Sequence, residues 1–205
     1  VVFDDEVLSD KLPLYNWLHL HHEDFTGQYG KFWASYRNAP WYINQVNEAQ
    51  ELAEKYGYTK VSELKLAVSK KIRDFTMGGG FLFAMCSAPD SYDVALSADG
   101  VDICERMFDG DPMAPNAQAK LDFDNAFAFK DFNIELNPMR YEISNIDIDP
   151  RTRRVKEAND LFALNEFSAK WDVIPTILTQ NHERIVKSFM GQTTAFQKQF
   201  VKSSV

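Results

Sequence analysis

Cysteine is nearly absent: Cys86 and Cys104 are the 2 in a chain of 205 residues. Two thiols cannot build a disulfide framework and are too few for a four-cysteine zinc site. They could pair with each other or stay apart. Long hydrophobic runs are also missing, and no stretch of the chain approaches the roughly 20 apolar residues that span a bilayer. An excess of positive charge is missing too. Lys and Arg number 22 against 30 Asp and Glu, a net charge of −8. That argues against nucleic acid or an anionic membrane surface as a partner. Internal repeats and low-complexity segments are lacking. What is present is 45% hydrophobic and 25% charged, the balance of an ordinary globular chain with enough residues for one medium domain and its own core.

Val1 to Phe3 reads as a short strand, and no charged leader or initiator Met precedes it, so the chain is expected to be a piece of a longer one. Tyr15 to His21 is a second strand. Its alternation puts Trp17, His19 and His21 on one face and Leu18 and Leu20 on the other. Lys31 to Asn38 looks helical. Pro40 suits the first turn of a helix that runs to about Tyr56, with Gly57 as its stop. Thr59 is placed to cap the next helix, in which Val61, Leu64, Val68, Ile72 and Phe75 recur at helical spacing. That helix ends at Gly78-Gly79-Gly80. Phe81 to Met85 is an unbroken apolar run, as expected of a strand buried on both faces, and Pro89 opens another helix.

This order predicts an α/β fold with a mainly parallel sheet flanked by helices. Residues 99 to 120 are a loop-rich acidic segment, and its run from Asp99 to Asp111 reads as a solvated loop. AFAFKDFNIEL (126–136) and RYEISNIDID (140–149) alternate apolar and polar residues, so an insertion with antiparallel strands is expected over about 105–165. Val173 to Thr179 reads as a further strand, followed by His182 and Glu183.

Cys86 is the sharpest candidate for chemistry. It follows a strand and precedes a helix, a place where a side chain is presented at the carboxyl edge of a sheet. A cysteine nucleophile there would draw an oxyanion-hole N–H from Ser87. The plain alternative is a small buried hydrophobe that ends a core strand. His182 is the candidate base with Glu183 as its orienting carboxylate, against the reading of a surface loop histidine. His19, His21, His22, Glu23 and Asp24 form the densest cluster of candidate metal ligands. Imidazoles with a carboxylate suit zinc, although histidines that hydrogen-bond a sheet edge would look the same in sequence. Gly78 to Gly80 comes after a helix and before a strand, the reverse of a phosphate loop, and reads as a helix stop.

The string GGGFLFAMCSA, Gly78 to Ala88, resembles the class I glutamine amidotransferase-like fold, in which a Gly-rich turn and a buried strand lead to a cysteine elbow. The strings LHLHHEDFTGQYGKF, KKIRDF, DICERMFDGDP and FMGQTTAF look like a family of longer Bacteroidetes proteins that often carry the name asparagine synthetase B. That resemblance covers essentially the whole chain. It implies a flavodoxin- or glutamine amidotransferase-like sheet in one domain over 1–205, incomplete at both ends. It also implies a secreted or periplasmic location. The chain has neither a terminal cysteine nor a pyrophosphate-binding loop, so what it implies is the fold and not synthetase chemistry. The activity implied is that of a glutaminase-like amidohydrolase acting on a small amide, with Cys86 as nucleophile, His182 with Glu183, or a histidine outside this chain, as its base, and Ser87 and Gly80 beside the pocket. No organic cofactor is expected. The alternatives are a non-catalytic binding module of the same fold and a zinc-dependent hydrolase using His19, His21, His22 and Asp24.

Overall fold

A computed structural model describes residues 3–146 and 196–202, with the backbone of 161–163 and 185–187. Helix α1 is Asp4–Leu8, and its first turn holds Asp4, Asp5 and Glu6, where negative charge complements the helix dipole. Phe3 is therefore the N-cap of a helix and not the end of a strand. Val1 and Val2 lie outside the described residues. Strand β1 is Trp17–Leu20, and a short helix α2, Trp33–Tyr36, stands where Lys31 to Asn38 looked helical. Helix α3 is Pro40–Lys55, with Pro at its first position.

Helix α4 is Val61–Met77. Its N-cap is Lys60, one residue later than the expected Thr59. The reason is Glu63, whose carboxylate reaches back to accept from the Thr59 N–H, the Thr59 hydroxyl and the Lys60 N–H. Val61, Leu64, Val68 and Ile72 are buried, as their spacing predicts. The helix stops at Gly78. Gly79 takes φ 99°, a conformation open to glycine at little cost, and a Cβ on Gly80 would fall 2.3 Å from the Phe75 ring.

Strand β2 is Phe81–Ala84 and pairs in parallel with β1, in the register Trp17↔Phe81 to Leu20↔Ala84. Helix α5, Ala88–Ser97, and a one-turn helix α6, Arg106–Asp109, follow. Strands β3, Leu161–Ala163, and β4, Ile185–Lys187, pair antiparallel. The fold is thus α/β in the coarse sense, with helices packed on a two-stranded parallel sheet. Among the described residues no helix is long and apolar enough to cross a membrane.

Leu18 and Leu20 are buried against Val68 and Ile72 of α4 and against Ala88, Tyr92, Ala95 and Leu96 of α5. Both helices therefore cover the same face of the sheet. Trp17, His19, Phe81 and Phe83 line the other face and are exposed. This corrects the expectation that β2 is buried on both faces. A run of apolar residues shows affinity for a core but cannot say on which side the helices pack.

The segment after α5 corrects a second expectation. Where two antiparallel strands were expected over 126–149, the described chain is irregular and keeps two isolated antiparallel bridges. One is Ile134↔Ser144 within the segment, with Glu135 N–Ile143 O and Asn145 N–Asn133 O bonds beside it. The other is Phe129↔Val201 to the later chain, with Lys130 N–Phe200 O and Lys202 N–Ala128 O bonds beside it. Side chains take over the role of a ladder. Gln118 accepts from Ile134 N–H and donates to Phe132 O. Asp93 accepts from the N–H groups of Phe127, Ala128 and Phe129. The segment buries Phe129, Phe132, Ile134, Ile143 and Ile146 in a second core with Val94 of α5 and Ala98, its C-cap. Residues 147–160, including the end of the expected second strand, lie outside the described residues, as does the expected strand Val173 to Thr179.

Candidate functional site at the carboxyl edge of the parallel sheet

Cys86 sits where the sequence order puts it, between β2 and α5. Its backbone has φ 59°, in the left-handed region that a residue with a Cβ adopts at a cost of about 1 kcal/mol or more. Met85 N–H still pairs with Leu20 O at 3.1 Å, and Ala88 already begins α5. The chain therefore reverses from strand to helix within Met85-Cys86-Ser87. The thiol is half-buried, and no disulfide joins Cys86 to Cys104, which settles the open question of their pairing. Ser87 is the N-cap of α5 and follows Cys86 directly. Gly80 is at the opposite end of β2, a four-residue strand away, about 13 Å. There it lies against the ring of Phe75.

The histidines gather at the same edge as Cys86. His19 lies on the exposed face against Phe83, with ring centroids 5.1 Å apart. His21 and His22 follow β1 and are exposed, their ring centroids 3.8 Å apart. Asp24 turns away to hold its own loop. Its carboxylate accepts from Thr26 N–H and hydroxyl and from Gly30 N–H. His19, His21, His22 and Asp24 do not bring three donor atoms within 4.8 Å of one another. His182 and Glu183 lie outside the described residues.

The three donor groups that do meet within 4.8 Å among the described residues are Asp102, Cys104 and Asp109. They suit a metal poorly. Burial pushes the Cys104 thiol well up, so it stays protonated and donates to Thr26 O at 3.3 Å. The carboxylates of Asp102 and Asp109 already face an ammonium, that of Lys60, which Asp111 also meets. Burial works to lower the Lys60 ammonium, but the three carboxylates outweigh it and hold it above its ordinary value. Burial likewise raises the Asp109 carboxyl, against the pull of Lys60.

This cluster overturns the reading of Asp99 to Asp111 as a solvated loop. It was invisible in sequence because its members lie 42 and 51 residues apart. Beside it is a half-open cavity of about 270 Å³ lined by Phe25, Thr26, Leu66, Ala95, Val101 and Ile103. The cavity is at the C-terminal end of α5, a ten-residue helix, so about 15 Å separates it from the Cys86 end.

Lys60→Met should cost about 2 kcal/mol at neutral pH, most of it from leaving Asp109 buried without its cation. In that variant the Asp109 carboxyl, raised by burial, loses the cation that pulls it down and binds a proton more readily folded than unfolded. The deficit should therefore be largest above the carboxylate range and shrink as pH falls into it. Urea unfolding of both proteins at acidic and neutral pH measures this.

Comparison of the chain with protein-family models, with curated proteins and with solved structures found no match.

Proposed function

We propose that this chain is a cysteine-dependent amidohydrolase of the glutamine amidotransferase-like kind, with Cys86 as its nucleophile and a small amide as its substrate. In this reading the β1–β2 pair belongs to a larger flavodoxin-like parallel sheet, and the site lies outside the carboxyl ends of its strands. The observation that carries the reading is the backbone of Cys86, held at φ 59° between a parallel strand and a helix. A sharp, strained strand-to-helix turn lifts a nucleophile's side chain clear of the sheet. The N–H of Ser87, the residue after the nucleophile, is where such an elbow places one oxyanion-hole donor. His182, with Glu183, is the base that the sequence reading assigns.

Alkylation tests this directly. Iodoacetamide should modify Cys86 in the native protein at least about tenfold faster than Cys104, whose thiol is fully buried and held protonated. Peptide mass spectrometry reads both sites in one sample. A Cys86 that reacts only after denaturation would sink the nucleophile reading and leave a binding module of this fold.

A further inference from the structure

We infer that the His21–His22 pair is the proton acceptor that serves Cys86, a role the sequence reading gave to His182. The inference rests on the nucleophile reading above and adds its base. Two hydrogen bonds fix the pair in place. On one side Met85 N–H donates to Leu20 O at 3.1 Å, the last rung of the parallel ladder. On the other side Ser91 Oγ donates to Glu23 O at 2.6 Å. Between these bonds lie His21 and His22 on one chain and Cys86 to Pro89 on the other. Neighbouring parallel strands run about 4.8 Å apart, so the two short segments leave adjacent strand ends and are tied together again at Ser91 and Glu23.

The pair is also braced. His21 N–H donates to the Glu23 carboxylate at 2.5 Å, and Asp24 pins the loop beyond through Thr26 and Gly30. Both imidazoles are exposed, which gives the proton a path to water. The titratable groups around them are His19 on β1, Glu23 and Asp24 in the loop, and Asp90 in the first turn of α5; β2 contributes none.

The chemistry then balances. The Cys86 thiol proton passes to an imidazole nitrogen of the pair, and Sγ bonds to the amide carbon. The C–N bond breaks, the imidazolium returns its proton to the leaving nitrogen, and ammonia departs. Water, deprotonated by the same imidazole, cleaves the thioester to carboxylic acid and restores the thiol.

The test follows the iodoacetamide rate at Cys86 across pH in the wild type, in the double variant His21→Gln/His22→Gln, and in His182→Gln. The double variant should slow alkylation about tenfold or more near pH 7. The loss should close at alkaline pH, where hydroxide supplies the base, and added imidazole should restore part of the rate. A misfolded variant would show neither the pH recovery nor the rescue. An unchanged double variant with a slowed His182→Gln would overturn the inference while the nucleophile reading stands. A wild-type Cys86 that is inert would overturn both.

Discussion

Cys86→Ala should abolish ammonia release from small amides, a loss of at least about 10³-fold, while leaving the fold in place. Glutamine and simple primary amides are the substrates to screen, with ammonia measured by a coupled assay. The fold should survive because alanine keeps the Cβ and so inherits the same strained backbone at φ 59°. Only the half-buried Sγ is lost. Cys86→Gly provides the decisive companion. Glycine reaches positive φ with little penalty, so this variant should be more stable than the wild type by about 1 kcal/mol and equally inactive. A cysteine serving only as packing would lose stability in both variants. Strain retained at a position that glycine would relax is what a presented nucleophile requires. Activity that survives in Cys86→Ala would eliminate the thiol mechanism.

What could be read from the sequence followed from local rules. Pro40 and Gly57 bracket α3, and the spacing of Val61, Leu64, Val68 and Ile72 marks the buried side of α4. The Trp17-Leu18-His19-Leu20 alternation predicts which face of β1 is covered. The order of strand, cysteine and helix locates the Cys86 turn, although nothing in the residue types reveals its positive φ.

What escaped the sequence depended on partners distant along the chain. Phe81 and Phe83 are as apolar as core residues, yet α4 and α5 both pack on the opposite face. The alternation of 126–136 is real, and Phe132 and Ile134 are indeed buried, but Asp93 and Gln118 accept the hydrogen bonds that a second strand was expected to take. Asp102, Asp109 and Asp111 read as solvent-facing until Lys60 comes to lie among them. The nearness of His21 and His22 to Cys86 falls between these cases. Each segment's place at a strand end is local information, and it takes the parallel β1–β2 register and the Ser91–Glu23 bond to join them.

Asp93 sets the largest expected stability effect. It is 1% exposed, in the middle of α5, and its carboxylate accepts from Phe127, Ala128 and Phe129 N–H at 2.9, 2.7 and 2.8 Å. The only sequence hint was an aspartate among apolar neighbours in Tyr92-Asp93-Val94-Ala95-Leu96. Asp93→Ala would leave three backbone donors without their acceptor, at about 1–3 kcal/mol each before water or a shift of the chain recovers some of it. A net loss of about 4 kcal/mol is expected, enough to consume much of the margin of a typical domain. Asp93→Asn keeps the shape and one oxygen, but its amide points N–H at N–H, so an intermediate loss of about 2 kcal/mol should follow. Urea unfolding gives both values. Hydrogen exchange locates them: the amides of 127–129 should lose protection in Asp93→Ala even where α3 and α4 remain protected, because the bonds to Asp93 tie this irregular segment to α5. Protection at 127–129 that survives the substitution would mean that the second core, and not the carboxylate, holds the segment down.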